Sequence, residues 1–283
     1  KFAVPEEIQM PVITFTSDYG LIDHRVPAVK GKILSLKEDA KIVDISHDIQ
    51  AYNLLQTAYI VRNAYSFFPE GTVHIISVDS FYTKDRKCIL YKADGHYFIA
   101  ADNGVLSLIF YDIKPEAVYE ITFNNRFDDE VKFTSTDIFA PVAVHLQKGG
   151  LPEVIGRKLK SPKQLSFPRP VFSENEKMII GEIMYIDNFG NVVSNISKKS
   201  FEKHSVGCGF ILKFRNLALT KIYNQYTDFI TDWELEHEYH GKSAAIFNDA
   251  GLLELTIYKG NKDNGAKNLF GMKVGESIYI EFY

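Results

Sequence analysis

The hydrophobic pattern along the chain changes character about halfway. In the first half, short apolar runs alternate with longer segments of helical spacing. Val12-Ile-Thr-Phe-Thr16 and Thr72-Val-His-Ile-Ile-Ser-Val78 are near-continuous, the pattern of strands covered on both faces. Val26, Val29, Ile33, Leu34 and Leu36 predict a helix after Pro27, and Leu54, Ala58, Val61, Tyr65 and Phe68 predict another behind an Asn53 cap. Residues 41–47 read as a short strand ending in polar groups, 88–91 and 96–101 as a strand pair around Ala93-Asp94-Gly95, and Val105–Ile109 as a helical run. A further amphipathic helix is predicted over 136–146, ended by Gly149-Gly150. This alternation predicts an α/β domain over 1–160 with a mostly parallel sheet flanked by helices.

A Pro-rich stretch, 161–170, reads as a linker. Beyond it come short runs at 178–186, 192–196, 209–214, 243–247, 252–258 and 276–282, separated by Gly, Asn and Asp clusters. That spacing predicts an all-β unit, a small barrel or sandwich, over 171–283.

Composition narrows the picture mainly by exclusion. A formal net charge of -4 over 283 residues gives no support for a nucleic-acid or acidic-membrane partner. No apolar run approaches the roughly 20 residues of a membrane span. Cys88 and Cys208 have no framework around them and read as buried small hydrophobes in a reducing, cytoplasmic compartment, with a disulfide between them left open. The start at Lys1 leaves removal of an export signal open. No dinucleotide fingerprint, P-loop or G-x-S-x-G pattern is present.

Chemistry concentrates at strand ends: Asp18, Asp44, Asp79 and Asp102-Asn103. Parallel strands bring such ends to one rim, and a carboxylate there can accept hydrogen bonds from two vicinal hydroxyls of a ribose or polyol. Asp18 reads equally as a helix cap or a ligand group. No His, Cys or carboxylate set has metal-ligand spacing, and His47 and His74 read as structural, so no metal and no cofactor are expected.

Taken together, Thr16-Ser-Asp18-Tyr-Gly20-x-x-Asp23, Ile42-Val-Asp44-Ile-Ser-His47, Phe68-Pro-x-Gly71-Thr-Val-His74, Val78-Asp79, Arg86, Ala101-Asp102-Asn103-Gly104 and Asp137-Ile-Phe-Ala-Pro141 carry a resemblance. It continues through Gly181–Ile196, with Asp187-Asn-Phe-Gly-Asn191, and through Asn248-Asp-Ala-Gly251. The chain resembles the S-adenosylmethionine hydroxide adenosyltransferases, relatives of the fluorinases and chlorinases. The resemblance implies a homotrimer with the ligand between the α/β domain of one subunit and the barrel of its neighbour. It also implies S-adenosylmethionine as substrate, displaced at C5′ by water to give adenosine and L-methionine.

By resemblance, Asp18 holds the ribose hydroxyls and Asp23 lies near the methionine amino group. Tyr52 packs over the sugar, although a plain core or rim tyrosine fits the residue equally. Asp187 and Asn191 face the ligand from the barrel, Asn248 belongs to the adenine-binding turn, and Tyr223 lies against adenine. Asp79 and Arg86 keep two members of a water-positioning set. Its third member, a His, is replaced by Thr134, followed by Ser135, and the loop after Asp79 reads Ser80-Phe-Tyr-Thr83 where the family has small residues. The competing reading is therefore a non-catalytic S-adenosylmethionine- or adenosine-binding protein. Halide use is a third, since the halide-using relatives also pair a Ser with the missing His, but Asp79 would repel an anion. An enzyme acting on another adenosyl or nucleoside substrate also stays open.

Overall fold

The computed structural model describes residues 11–122, 131–174 and 177–283. The chain divides into two compact units at Phe167/Pro168.

In chain order, the first unit runs β1 (Ile13–Ser17), α1 (Arg25–Leu36), β2 (Ile42–Ser46), α2 (Leu54–Tyr65), β3 (Val73–Ser77), β4 (Cys88–Ala93), β5 (His96–Ala101), α3 (Val105–Ile109) and β6 (Ala117–Ile121). A π-helical turn (Ser135–Phe139), α4 (Ala140–Gln147), α5 (Pro152–Ile155) and β7 (Gly156–Lys158) complete it. The sheet has seven strands in the order β2-β1-β3-β5-β4-β6-β7. β1 and β3 are buried along their whole length, as their unbroken apolar runs require. One face packs against α1 and α4 through Val29, Ile33, Phe139 and Ala143, the other against α2 and α3 through Val61, Tyr65 and Leu106.

The sheet is mixed, which corrects the mostly parallel expectation. β2, β1, β3 and β5 run parallel, but β4 pairs antiparallel with both β5 and β6, and β6 antiparallel with β7. The reversal comes from the two-residue turn Asp94-Gly95, both residues at positive φ (50° and 76°). That geometry matches the twist of a tight hairpin and sends the chain straight back along its neighbour. Everything beyond β5 is then built on a reversed strand.

The predicted helix at 136–146 also differs in its first turn. Pro141 has no N–H to donate to the carbonyl four residues back. The turn instead closes in the wider register, with Ala140 N–H donating to Ser135 O. Asn53 caps α2 as expected, its Oδ1 accepting from Gln56 N at 2.9 Å.

The second unit runs β8 (Val171–Phe172), β9 (Met178–Ile186), β10 (Val192–Ser197), α6 (Lys198–Ser205), β11 (Phe210–Phe214), β12 (Leu217–Leu219), a 3-10 turn (Glu236–Tyr239), β13 (Ser243–Phe247), β14 (Leu252–Ile257), α7 (Ala266–Leu269) and β15 (Ser277–Phe282). Its antiparallel strands follow the order β12-β11-β15-β9-β10-β14-β13, with β8 added to β9. The result is a nearly closed, barrel-like sheet around Ile183, Val192, Leu212, Leu255, Ile278 and Ile280. The long β9 makes this curvature possible: its first half pairs with β15 and its second with β10.

Candidate functional site

The carboxyl ends of β1 and β3 lie side by side and open into a cavity of about 340 Å³. Asp18, Tyr19, Tyr52, Asp79, Ser80 and Thr134 are in its wall, together with Arg25, Phe81, Tyr82, Lys132 and Phe133. Asp18 follows β1 and Asp79 follows Val78 at the end of β3, so the parallel pairing of two buried strands brings residues 61 positions apart together.

Asp18 ties the rim together. Its Oδ2 accepts from Tyr52 N at 3.0 Å and from Asp79 N at 3.3 Å. Both donors sit at positive φ, 65° for Tyr52 and 45° for Asp79. A bulky side chain there costs on the order of 1–3 kcal/mol and persists where surrounding bonds hold it. One carboxylate oxygen supplies such a bond to both. Among the described residues no partner engages Oδ1.

Asp79 is fixed from the other side. Arg86 Nη1 donates to its carbonyl at 2.9 Å and to its Oδ1 at 3.1 Å, and Asn103 Nδ2 donates to the same carbonyl at 3.2 Å. Asn103 also accepts from Val105 N and so starts α3 after Gly104, whose φ of 99° places it in the left-handed region. Arg86 thus holds main chain and side chain at once, and Asp79 Oδ2 has no partner among the described residues.

Thr134 precedes the π-helical turn and Ser135 opens it. Thr134 lines the cavity; Ser135 is wholly buried beneath it. Ser135 Oγ donates to Ser77 Oγ at 2.9 Å, and Tyr19 Oη lies 2.8 Å from Ser135 Oγ and 3.1 Å from Ser80 Oγ. Burial raises the Tyr19 phenol above its ordinary value. Tyr52 is 60% exposed, its ring tilted over Phe81 at 6.0 Å.

Other rim residues are placed elsewhere. Asp23 is outside the cavity wall; it accepts from Arg25 N at 3.0 Å and pairs with the Arg25 guanidinium. That backbone bond, with the guanidinium, holds its carboxyl below the usual range. Asp44 pairs with Lys30 at 2.5 Å and His47 at 3.2 Å. Burial pushes its carboxyl up, but the contacts with Lys30 and His47 outweigh it and the net shift is downward. Asp102 Oδ1 accepts from Lys163 N. Neither Asp44 nor Asp102 is in the cavity wall.

In the barrel-like unit, Asp187 Oδ1 accepts from Phe189 N and Asn191 N, both at 2.8 Å, and its Oδ2 accepts from Asn191 Nδ2 at 2.9 Å. Thr256 Oγ1 donates to Asn191 Oδ1 at 2.7 Å. Asn248 Oδ1 accepts from Ala250 N and Leu252 N, and its Nδ2 donates to Glu254 Oε2 at 2.9 Å. Tyr226 donates to Glu254 Oε1, and burial raises the Glu254 carboxyl. Tyr223 lies apart, with Lys221 Nζ 4.5 Å above its ring and Phe229 at its edge.

Sequence reasoning assigned no role to Tyr19, Arg25 and Lys132, and read Ser80 only as part of the altered loop after Asp79. Tyr19 and Ser80 stand next to Asp18 and Asp79, and that adjacency was the available signal. Among the described residues, no cluster of three or more His, Cys, Asp or Glu could hold a metal, and no helix is long and apolar enough to cross a membrane.

Residues 13–156 match the SAM hydroxide adenosyltransferase N-terminal domain and residues 181–279 the corresponding C-terminal domain. The chain is 29% identical over 196 residues to the (R)-S-adenosyl-L-methionine hydrolase of Methanocaldococcus jannaschii, covering 67% of this chain and 68% of that one. It is 28% identical over 230 residues to the fluorinase of Actinopolyspora mzabensis, covering 72% and 77%. An uncharacterized conserved protein from Thermotoga maritima superposes with a TM-score of 0.81 at 30% identity, over 95% of this chain and 99% of that one.

Proposed function

The chain belongs to the SAM hydroxide adenosyltransferase family, and from that premise we propose that it cleaves S-adenosylmethionine by attack of water on C5′. The products are adenosine and L-methionine. The observation that carries this reading is Asp79, held by Arg86 from outside, in the wall of a cavity that Asp18 also lines.

A sulfonium leaves as a neutral thioether and needs no proton. Catalysis then consists of holding water in line with the C5′–S bond and removing it from bulk solvent. Asp79 is suited to this, because Arg86 and Asn103 fix its peptide while one carboxylate oxygen stays available to water. The O–C5′ bond forms, the C5′–S bond breaks, and the water proton passes to Asp79. Asp18 Oδ1 accepts from the ribose hydroxyls, and the Tyr52 and Phe81 rings wall the sugar from solvent. The neighbouring subunit of a homotrimer contributes Asp187, Asn191, Tyr223 and Asn248; a monomer in sedimentation equilibrium would remove that half of the proposal. No cofactor takes part.

Thr134 favours a second reading, because a threonine hydroxyl is no base near neutral pH: a protein that binds S-adenosylmethionine without turnover. Incubation with S-adenosylmethionine, followed by chromatography for adenosine, separates the two. Release above the spontaneous rate supports the hydrolase. Binding by calorimetry with no release supports the binder.

A further inference from the structure

The proton count along the buried hydroxyls fixes how they face the cavity. Ser135 donates its one proton to Ser77 Oγ. In the 2.8 Å contact with Tyr19, Ser135 is therefore the acceptor and the phenol the donor. Burial keeps that phenol protonated. With its one proton spent on Ser135, Tyr19 Oη can only accept in the 3.1 Å contact with Ser80. Ser80 must then donate inward, and a hydroxyl has one proton. Ser80 stands in the cavity wall beside Asp79 and presents lone pairs there.

We propose that Ser80, oriented by Tyr19, accepts a hydrogen bond from the attacking water and selects a proton-donating nucleophile over an anion. The inference rests on the hydrolase reading and deepens it. Water has two protons to place, one toward Asp79 and one toward Ser80, and this aims an oxygen lone pair at C5′. The proton released on attack goes to the Asp79 carboxylate; Ser80 keeps its own. A halide has no proton to give and meets a carboxylate and a lone pair. The anion selectivity of this site thus lies in a chain of hydroxyls running away from the cavity, and Tyr19 is a positioning residue acting through Ser80.

The test is steady-state adenosine release by the full chain and by Ser80→Ala, Tyr19→Phe and the double variant, each confirmed folded by thermal melting. Ser80→Ala lowers kcat roughly 3- to 10-fold, the worth of one hydrogen bond, with KM unchanged. Tyr19→Phe lowers kcat about as much, and the double variant is no slower than Ser80→Ala. Tyr19→Phe also frees the Ser80 proton to turn toward the cavity, so sodium chloride inhibits this variant more than sodium gluconate does. Wild type and the double variant show no such difference. Additive losses in kcat, or wild-type kcat in both single variants, overturn the inference while leaving the hydrolase reading intact. No adenosine from wild type overturns both.

Discussion

The two units use the same residue types in opposite ways. At the rim of the α/β sheet, Asp18 and Asp79 each commit one carboxylate oxygen to the protein and keep the other without a partner among the described residues. In the barrel-like unit, Asp187 and Asn191 spend their polar side-chain atoms on each other, on Thr256 and on nearby backbone, and Asn248 does the same with Glu254 and its own turn. The first arrangement leaves hydrogen-bonding capacity facing a cavity. The second builds a rigid turn whose backbone groups are held in place. An Asp or Asn at a loop is therefore ambiguous until its oxygens are followed to their partners.

The contrast predicts different failures on mutation. Arg86→Ala releases both the main chain and the carboxylate of Asp79, and adenosine release should fall by about 100- to 1,000-fold, the usual cost of losing a preorganised donor. Binding of S-adenosylmethionine should change far less, which calorimetry can check. Asp187→Ala removes the acceptor of two backbone N–H groups and should lower stability by about 1–3 kcal/mol in urea denaturation. An unchanged midpoint would show that the barrel turn does not depend on this carboxylate. Asp18→Asn leaves one carbonyl oxygen where the carboxylate has two, so either the ribose or the clasp on Tyr52 and Asp79 loses its acceptor, and binding should weaken by about tenfold or more. Equal affinity would remove Asp18 from the ligand site.

The pH dependence of stability sharpens the comparison further, because two buried groups act in opposite senses. Burial pushes His74 down to about 3. The unfolded ring takes up its proton first, so stability falls as pH drops from about 6.5 towards 3, by at most about 1.4 kcal/mol per unit. For Glu254, burial raises the folded carboxyl, so its contribution is present below the ordinary glutamate value and is lost as pH rises through the raised one. Melting curves against pH for wild type and His74→Gln should diverge in slope below about pH 6.5. Parallel curves would mean the ring is not held neutral.

Much of the fold was legible because it rests on short-range signals. The Asn53 cap, the buried β1 and β3 runs and the spaced strands of the second unit each follow from residues within a few positions. The strand pair around Asp94-Gly95 was read, but not that β6 and β7 would be added antiparallel on its far side, which makes half of the sheet's pairings antiparallel. β6 carries only five residues and lay outside the reading. The π turn was missed because the amphipathic spacing hid what Pro141 removes. At the site, the acids announced themselves by their positions at strand ends. The clasp of Asp18 on Tyr52 and Asp79, and the bonds from Tyr19 to Ser80 and Ser135, link residues 34, 61 and 116 positions apart, and no local pattern encodes them.

The central claim is that this cavity delivers water to C5′. The most direct measurement is incubation of the protein with S-adenosylmethionine in ¹⁸O-enriched water and mass spectrometry of the nucleoside product. The account predicts adenosine carrying ¹⁸O at its 5′ position, formed well above the uncatalysed rate and lost in Asp79→Asn. Bound S-adenosylmethionine with no labelled adenosine above that rate would contradict it.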